Sequence, residues 1–217
     1  MVASDKQPPV LIEPREELVQ AAKKAAARIA SRASEADKQR RVPMENVHDM
    51  HEAGLLTLAI PRDLGGTEAD LVTQVAVYEI IGGACASTAW VMGNHSVLCT
   101  RALGMMGEDS HFLIKDVVDN GALISHAAIP GGDTKPAPGG FIASGCWPFV
   151  SGSNISTWMF LSTMVEGDNR WMIMPTSQPG LTIEPTWQAM AARGSMTNDV
   201  LLDNVFVAED TAPVQRR

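Results

Sequence analysis

The sequence is poor in cysteine: it has 3, at positions 85, 99 and 146, and no two of them form a CxxC pair. Neither a disulfide framework nor a zinc knuckle is therefore expected, and a reducing compartment fits. Runs of one charge are also missing. Only 19% of residues are charged, the formal net charge is -8, and no Lys/Arg-rich stretch could cover a phosphate backbone. Nucleic acid is accordingly not an expected partner. No segment is apolar for the ~18 residues that a membrane span requires, and the first residues, Met1 to Pro9, are polar and proline-bearing. The expectation is a soluble cytoplasmic protein without membrane contact.

What the chain does have is 45% apolar residues over 217 positions, enough to bury a sizeable core in one or two domains. Their spacing changes near Gly121. Before it they recur every three or four positions; after it they come in short runs separated by Gly, Pro, Asn and Asp. An α+β fold is predicted, with a helical domain over 1–121 and an antiparallel β-sheet or barrel domain over 122–217.

The first helix opens at Pro14, places Glu16 and Glu17 in its first turn, and lines Leu18, Ala22, Ala25, Ile29 and Ala33 along one face. A second runs from Pro43 to Gly54. A third is expected from about Thr67, with Asp70 as capping partner, ending at Gly82 and Gly83. Ser87 can cap a fourth, Thr88 to about Leu103, and a fifth runs from Asp109 to Asn120. Strands are expected over 122–127, 141–149, 158–164, 170–174, 181–184 and 200–207.

Four segments occur in a telling order: Ala59-Ile60-Pro61-Arg62-Asp63-Leu64-Gly65-Gly66; Cys85-Ala86-Ser87-Thr88-Ala89-Trp90; Gly145-Cys146-Trp147-Pro148-Phe149-Val150-Ser151-Gly152; and Arg193-Gly194-Ser195-Met196-Thr197-Asn198-Asp199-Val200. Together they resemble the acyl-CoA dehydrogenase superfamily. That resemblance implies a helical N-terminal domain, a middle β domain that contacts flavin, and a C-terminal four-helix bundle. The chain stops at Arg217, where the bundle would begin, so a fold without it is expected. The bundle supplies a catalytic base in that family. The 217 residues alone are therefore expected to be a poor catalyst, oxidising reduced flavin with loss of hydrogen peroxide.

Dehydrogenases of the family carry a "TEPxxGSD" segment where this chain has Ser125-His126-Ala127-Ala128-Ile129-Pro130-Gly131-Gly132-Asp133, which keeps little of it. By contrast, the stretch from Gly139 to Gly152 is similar to the "GGyxvsGxWxfxSG" pattern of two-component flavin monooxygenases on the same fold. The resemblance implies reduced FMN or FAD delivered by a flavin reductase, a small hydrophobic ring-containing substrate, and a homo-oligomer or a partner covering the absent bundle. The runner-up is a dehydrogenase that removes hydride from an acyl thioester to FAD. A third reading is a non-catalytic binding or assembly module.

A C4a-hydroperoxide of flavin survives only in a dry, apolar pocket, and a hydrogen bond near flavin N5 delays loss of peroxide. By the resemblance Trp147 and Phe149 would wall the flavin ring, while the Ser151 hydroxyl and the Gly152 amide would provide the polar contact. Read from the residues alone, Trp147 to Phe149 are ordinary core and Ser151-Gly152 a turn. Trp90, with Asn94 on its face and His95 beside it, falls on the fourth helix, which lines the substrate pocket in the family. His95 and Ser151 are the catalytic candidates, with a core tryptophan and a structural histidine as the plainer alternative. His126 is a further flavin-contact candidate or a β-edge histidine. His48 and His51 stand three apart, but nothing completes a metal site, and none is expected. The loop from Arg193 to Asp199 is read as structural, and the 12 methionines as core filling.

Overall fold

The structure, a computed structural model, describes residues 12–215. Helix α1 (Glu16–Gln39) carries Glu16 and Glu17 in its first turn and Lys38 in its last, both favourable to the helix dipole. It buries Leu18, Ala22, Ala25, Ile29 and Ala36, the stripe that a 3.6-residue period selects. Helix α2 (Met44–Glu52) is tied to α1 by Asp49, a nearly buried carboxylate that pairs with Arg28 at 2.7 Å and also with Arg32. Asn46 accepts from Arg32 and donates to Thr88, extending the link to the fourth helix.

The Gly65-Gly66 pair has a steric cause. After the short turn Arg62–Leu64 the chain doubles back on itself, and a Cβ on Gly66 would stand 2.0 Å from the Ile60 carbonyl oxygen. That contact is with backbone and cannot be relieved by a rotamer change. Gly66→Ala is expected to lower stability by about 2–3 kcal/mol, the scale of forced overpacking, read as a lower urea midpoint at unchanged slope.

Helix α3 (Leu71–Ala84) starts later than the sequence suggests. Asp70 is itself the cap, accepting from the Thr73 amide at 2.9 Å and the Thr73 hydroxyl at 2.7 Å, and these bonds hold its carboxyl below the usual range. Gly82 and Gly83 lie inside the last turn instead of ending the helix. Helix α4 (Ala86–Met106) is capped from Cys85, so Ser87 is a buried first-turn residue and not the cap. It runs three residues past Leu103, and a short turn (Gly107–Ser110) leads into α5 (His111–Asn120).

Among the described residues seven strands follow: β1 (Ile124–Ala127), β2 (Asp133–Ala137), β3 (Gly140–Val150), β4 (Trp158–Val165), β5 (Asp168–Pro175), β6 (Leu181–Glu184) and β7 (Asn198–Ala208). They form two sheets, ordered β1-β4-β5 and β2-β3-β7-β6, and not a closed barrel. Strand β2, with Asp, Lys and Pro exposed on a sheet edge, lacks the apolar alternation that marks a strand. The first sheet is also not wholly antiparallel: β1 runs parallel to β4, with Ile124 beside Trp158 and Ala127 beside Leu161. Local pattern shows that a strand exists; it does not choose the strand's partner.

The layers are helices, three-stranded sheet, four-stranded sheet. Period-two alternation divides β4 and β5 between them. Met159, Leu161, Met172 and Met174 face the second sheet and meet Trp147, Val150, Val200 and Val205. Phe160, Trp171 and Ile173 face the other way, onto Leu98, Ala102 and Ile114 of the helices. Both faces are covered, so both strands read as near-continuous apolar runs.

Candidate active site

Four elements converge at the end of β3. Trp90 comes from α4, Ser125 from β1, Ser151 and Gly152 from the turn after β3, and Ser195 and Thr197 from the loop before β7. The Trp90 indole N–H donates to Ser151 Oγ at 2.9 Å while the side chain stays 58% exposed. Ser151 Oγ lies 2.9 Å from Thr197 Oγ1, which lies 2.7 Å from Ser195 Oγ. Below them Ser125 Oγ donates to the Ser151 carbonyl at 2.6 Å and bonds Ser156 Oγ, which in turn donates to the Gly152 carbonyl. This is a network of neutral hydroxyls under an exposed indole, suited to hydrogen-bonding the edge of a planar ring.

Phe149 sits at a β-bulge. Trp147 pairs with Val200 and Val150 with Asn198, so Pro148 and Phe149 together oppose Asp199. The extra residue turns Phe149 outward at φ 61°, leaving it 66% exposed. Ser151 thus lies beneath Trp90, and Phe149, two residues before Ser151, is exposed at the bulge.

The remaining candidates do not join them. Trp147 is fully buried between the sheets and its indole N–H donates to the Ser162 carbonyl at 2.7 Å, so it is core and has no free face to wall a ring. The Gly152 amide is also spent, donating to the Ser195 carbonyl at 2.7 Å; of the Ser151-Gly152 pair only the serine hydroxyl remains as a polar contact.

His95 is fully buried. Its Nε2 lies 3.0 Å from the Leu56 carbonyl, and its Nδ1 accepts from the Ile124 amide at 3.1 Å. The amide can only donate, so Nδ1 is the bare nitrogen and Nε2 carries the hydrogen. Burial holds this ring's pKa down at about 4. A neutral histidine with both nitrogens engaged by backbone moves no proton; it fastens α4 to β1 and to the 55–58 segment. His126 is half-buried against Trp171, at 6.1 Å between ring centroids, and burial, then the charge of Arg101, lower its pKa. It faces away from Ser151, as alternation from Ser125 requires. His48 pairs with Glu52, His51 bonds the Val118 carbonyl, and among the described residues no cluster could hold a metal ion.

Thr197, Ser195, Ser125 and Ser156 are the members that sequence reasoning passed over. The loop from Arg193 to Asp199 contributes Ser195 and Thr197 to this network, and its hydroxyls are the signal that the sequence offers for it. A cleft of about 490 Å³ runs along the outer face of α4, past Gln74, Ser96, Thr100 and Arg101. The Arg101 guanidinium stacks 4.9 Å from the Trp171 ring.

Residues 13–111 match the family described as acyl-CoA dehydrogenase, N-terminal domain. Over that segment the chain is similar to the acyl-CoA dehydrogenase superfamily. Among its relatives is the oxygenase subunit HsaA of a flavin-dependent monooxygenase from Rhodococcus jostii, 28% identical over 187 residues, covering 82% of this chain and 47% of that protein. The crystal structure of 3-HSA hydroxylase from Rhodococcus sp. RHA1 superposes with a TM-score of 0.81 at 26% identity, over 91% of this chain and 51% of that one. XiaF from Streptomyces sp., solved with FADH2 and glycerol, gives 0.80 at 25%, over 91% and 50%. A Bacillus subtilis protein described as an acyl-CoA dehydrogenase, YdbM, is also among the relatives, at 26% over 198 residues. The chain spans about half the length of the relatives it matches. Among the described residues no helix is long and apolar enough to cross a membrane.

Proposed function

We propose that the chain forms the flavin-contacting part of a reduced-flavin-dependent monooxygenase that hydroxylates a small hydrophobic ring-containing substrate. The observation that carries this reading is the Trp90–Ser151 pair, a buried hydroxyl bonded at 2.9 Å under an exposed indole. When bound, reduced FMN or FAD would supply the electrons that activate oxygen. Of the chain's own groups, Trp90 and Phe149 would lie against the ring and keep water from it, and Ser151 would hydrogen-bond its edge. The cleft beside α4 is a natural place for the substrate, since the same helix carries Trp90. A separate flavin reductase is the expected partner, and a second copy or a further segment would cover the exposed Trp90 and Phe149. In this reading the helical part, 1–121, and the β part, 122–217, are its two domains, and core residues of both pack together.

The dehydrogenase reading is kept because YdbM stands among the relatives. Anaerobic titration with reduced FMN and reduced FAD, followed by oxygen, separates the two. The monooxygenase reading expects a colourless purified protein that binds reduced flavin and delays its reoxidation. A yellow protein holding FAD through purification and reduced by an acyl thioester would replace it with the dehydrogenase.

A further inference from the structure

We infer that the cleft beside α4 takes the far end of an elongated substrate, a ring carrying a chain that ends in a carboxylate, with Arg101 binding the anion and Ser96 as a second donor. The inference rests on the flavin reading above and names the substrate class for that site. Trp90, Val97, Arg101 and Gly104 recur at helical spacing, so they share a face of α4. From Trp90 to Arg101 the helix rises about 16 Å. A ring held at Trp90 therefore fills the cleft only through a chain extending from it.

The cleft's own groups select what that chain must end in. The Arg101 guanidinium lies 4.9 Å from the Trp171 ring centroid, and such stacking uses the face of the guanidinium and leaves its N–H edge open. Among the described residues every ion pair involves another cation, and no carboxylate meets that edge. Ser96 is 1% exposed, and its hydroxyl lines the cleft without a partner. The Tyr78 hydroxyl beside it gives its proton to Gln74 Oε1 at 3.3 Å, and Thr100 donates to the Ser96 carbonyl. A buried hydroxyl without an acceptor is costly, so an oxygen entering here is favoured. Gly104 leaves room for it: a Cβ there would meet nothing within 4 Å. Arg101 is the one Lys or Arg among the described residues lining the cleft, and a single planar fork matches a single carboxylate. A phosphate dianion would leave half its charge unmatched.

The test is calorimetric titration of 6-phenylhexanoate and of its neutral amide into flavin-free wild type, Arg101→Gln, Ser96→Ala and Gly104→Leu, beside titrations of FMN and riboflavin. The wild type should hold the acid roughly ten-fold or more tighter than the amide, the scale of a hydrogen bond to a charged group. Arg101→Gln should bring the acid to the amide's affinity and leave the amide and both flavins where they were. Ser96→Ala should loosen acid and amide alike, roughly three- to ten-fold, because either head group offers an oxygen. Gly104→Leu fills the cleft from an open helix position, so it should exclude both ligands while melting no earlier than wild type. A wild type that binds no acid or does not prefer it, a preference that survives Arg101→Gln, or a Gly104→Leu protein that binds as before would overturn the subsite. Unchanged affinities in Ser96→Ala would overturn its part in it. An Arg101→Gln protein that loses affinity for FMN but not for riboflavin would give the anion site to the flavin's phosphate and overturn the substrate assignment. A wild type that prefers the acid yet binds neither flavin would overturn the flavin reading and leave the carboxylate site standing.

Discussion

Replacing His95 by leucine is expected to destabilise the protein by about 4 kcal/mol, because it removes the partners of two buried backbone groups at once. The Leu56 carbonyl and the Ile124 amide both depend on this ring, which is fully buried. Each group left unpaired costs about 1–3 kcal/mol. A urea midpoint in the variant close to that of the wild type would show that the ring is not a fastener.

The same residue makes acid a second probe. In the unfolded chain His95 titrates near its ordinary value of 6.5, whereas burial holds it at about 4 in the folded protein. Between these values the unfolded state binds the extra proton. The stabilisation is therefore complete above pH 6.5 and is lost as pH falls toward 4, by roughly 3 kcal/mol in all. His126, lowered by its own burial and by Arg101, acts in the same direction. Cys99 Sγ, 3.6 Å from His95 Nε2, contributes no charge, since burial pushes that thiol up to about 12. His95→Leu should flatten most of the slope in this window.

His95 also shows where reading from sequence stops. The helix that carries it was legible: apolar spacing located α4, and resemblance assigned it to the pocket. Which face of α4 each residue takes was not, because Trp90 and His95 are only five positions apart and both faces of the helix are partly apolar. The outcome was decided by a carbonyl 39 residues before His95 and an amide 29 residues after it, long-range partners that no local pattern encodes. The strands were found for the same reason that the helices were, and β2 was missed because an edge strand is built to lack that signal. The parallel β1–β4 pairing depends on the β2–β3 hairpin crossing into the other sheet, which is a property of the whole fold. Asp70 was recognised as a cap but placed inside the helix, since Thr67 and Asp70 both suit a capping role and only the Thr73 hydrogen bonds choose between them. Likewise the hydroxyls of Ser125, Ser195 and Thr197 are ordinary residues until the fold sets them against Ser151.

The sharpest division between fold and function lies within the three residues Trp147, Pro148 and Phe149, where resemblance assigns both aromatics to the flavin and the structure parts them. Trp147→Ala is expected to lose about 5 kcal/mol: roughly 3–5 for truncating a fully buried tryptophan, with a further penalty for the Ser162 carbonyl that its indole N–H satisfies. That is comparable to the whole stability of an ordinary domain, so the variant should be largely unfolded at room temperature. Its surroundings cannot collapse to fill the space. Gly132, at φ 64°, leans on the indole so closely that a Cβ there would lie 2.3 Å from the ring, and its backbone conformation favours glycine whatever fills the gap. Trp147→Phe keeps most of the packing and is the informative variant for function. It should melt earlier yet bind flavin as the wild type does. Phe149→Ala, at a side chain 66% exposed, should leave the urea midpoint within about 0.5 kcal/mol of wild type and weaken flavin binding instead. The β-bulge is what separates the two effects, because it turns one aromatic into the core and the next but one out of it. A folded Trp147→Phe protein that had lost flavin affinity, beside a Phe149→Ala protein that had kept it, would return the ring contact to Trp147 and remove Phe149 from the site.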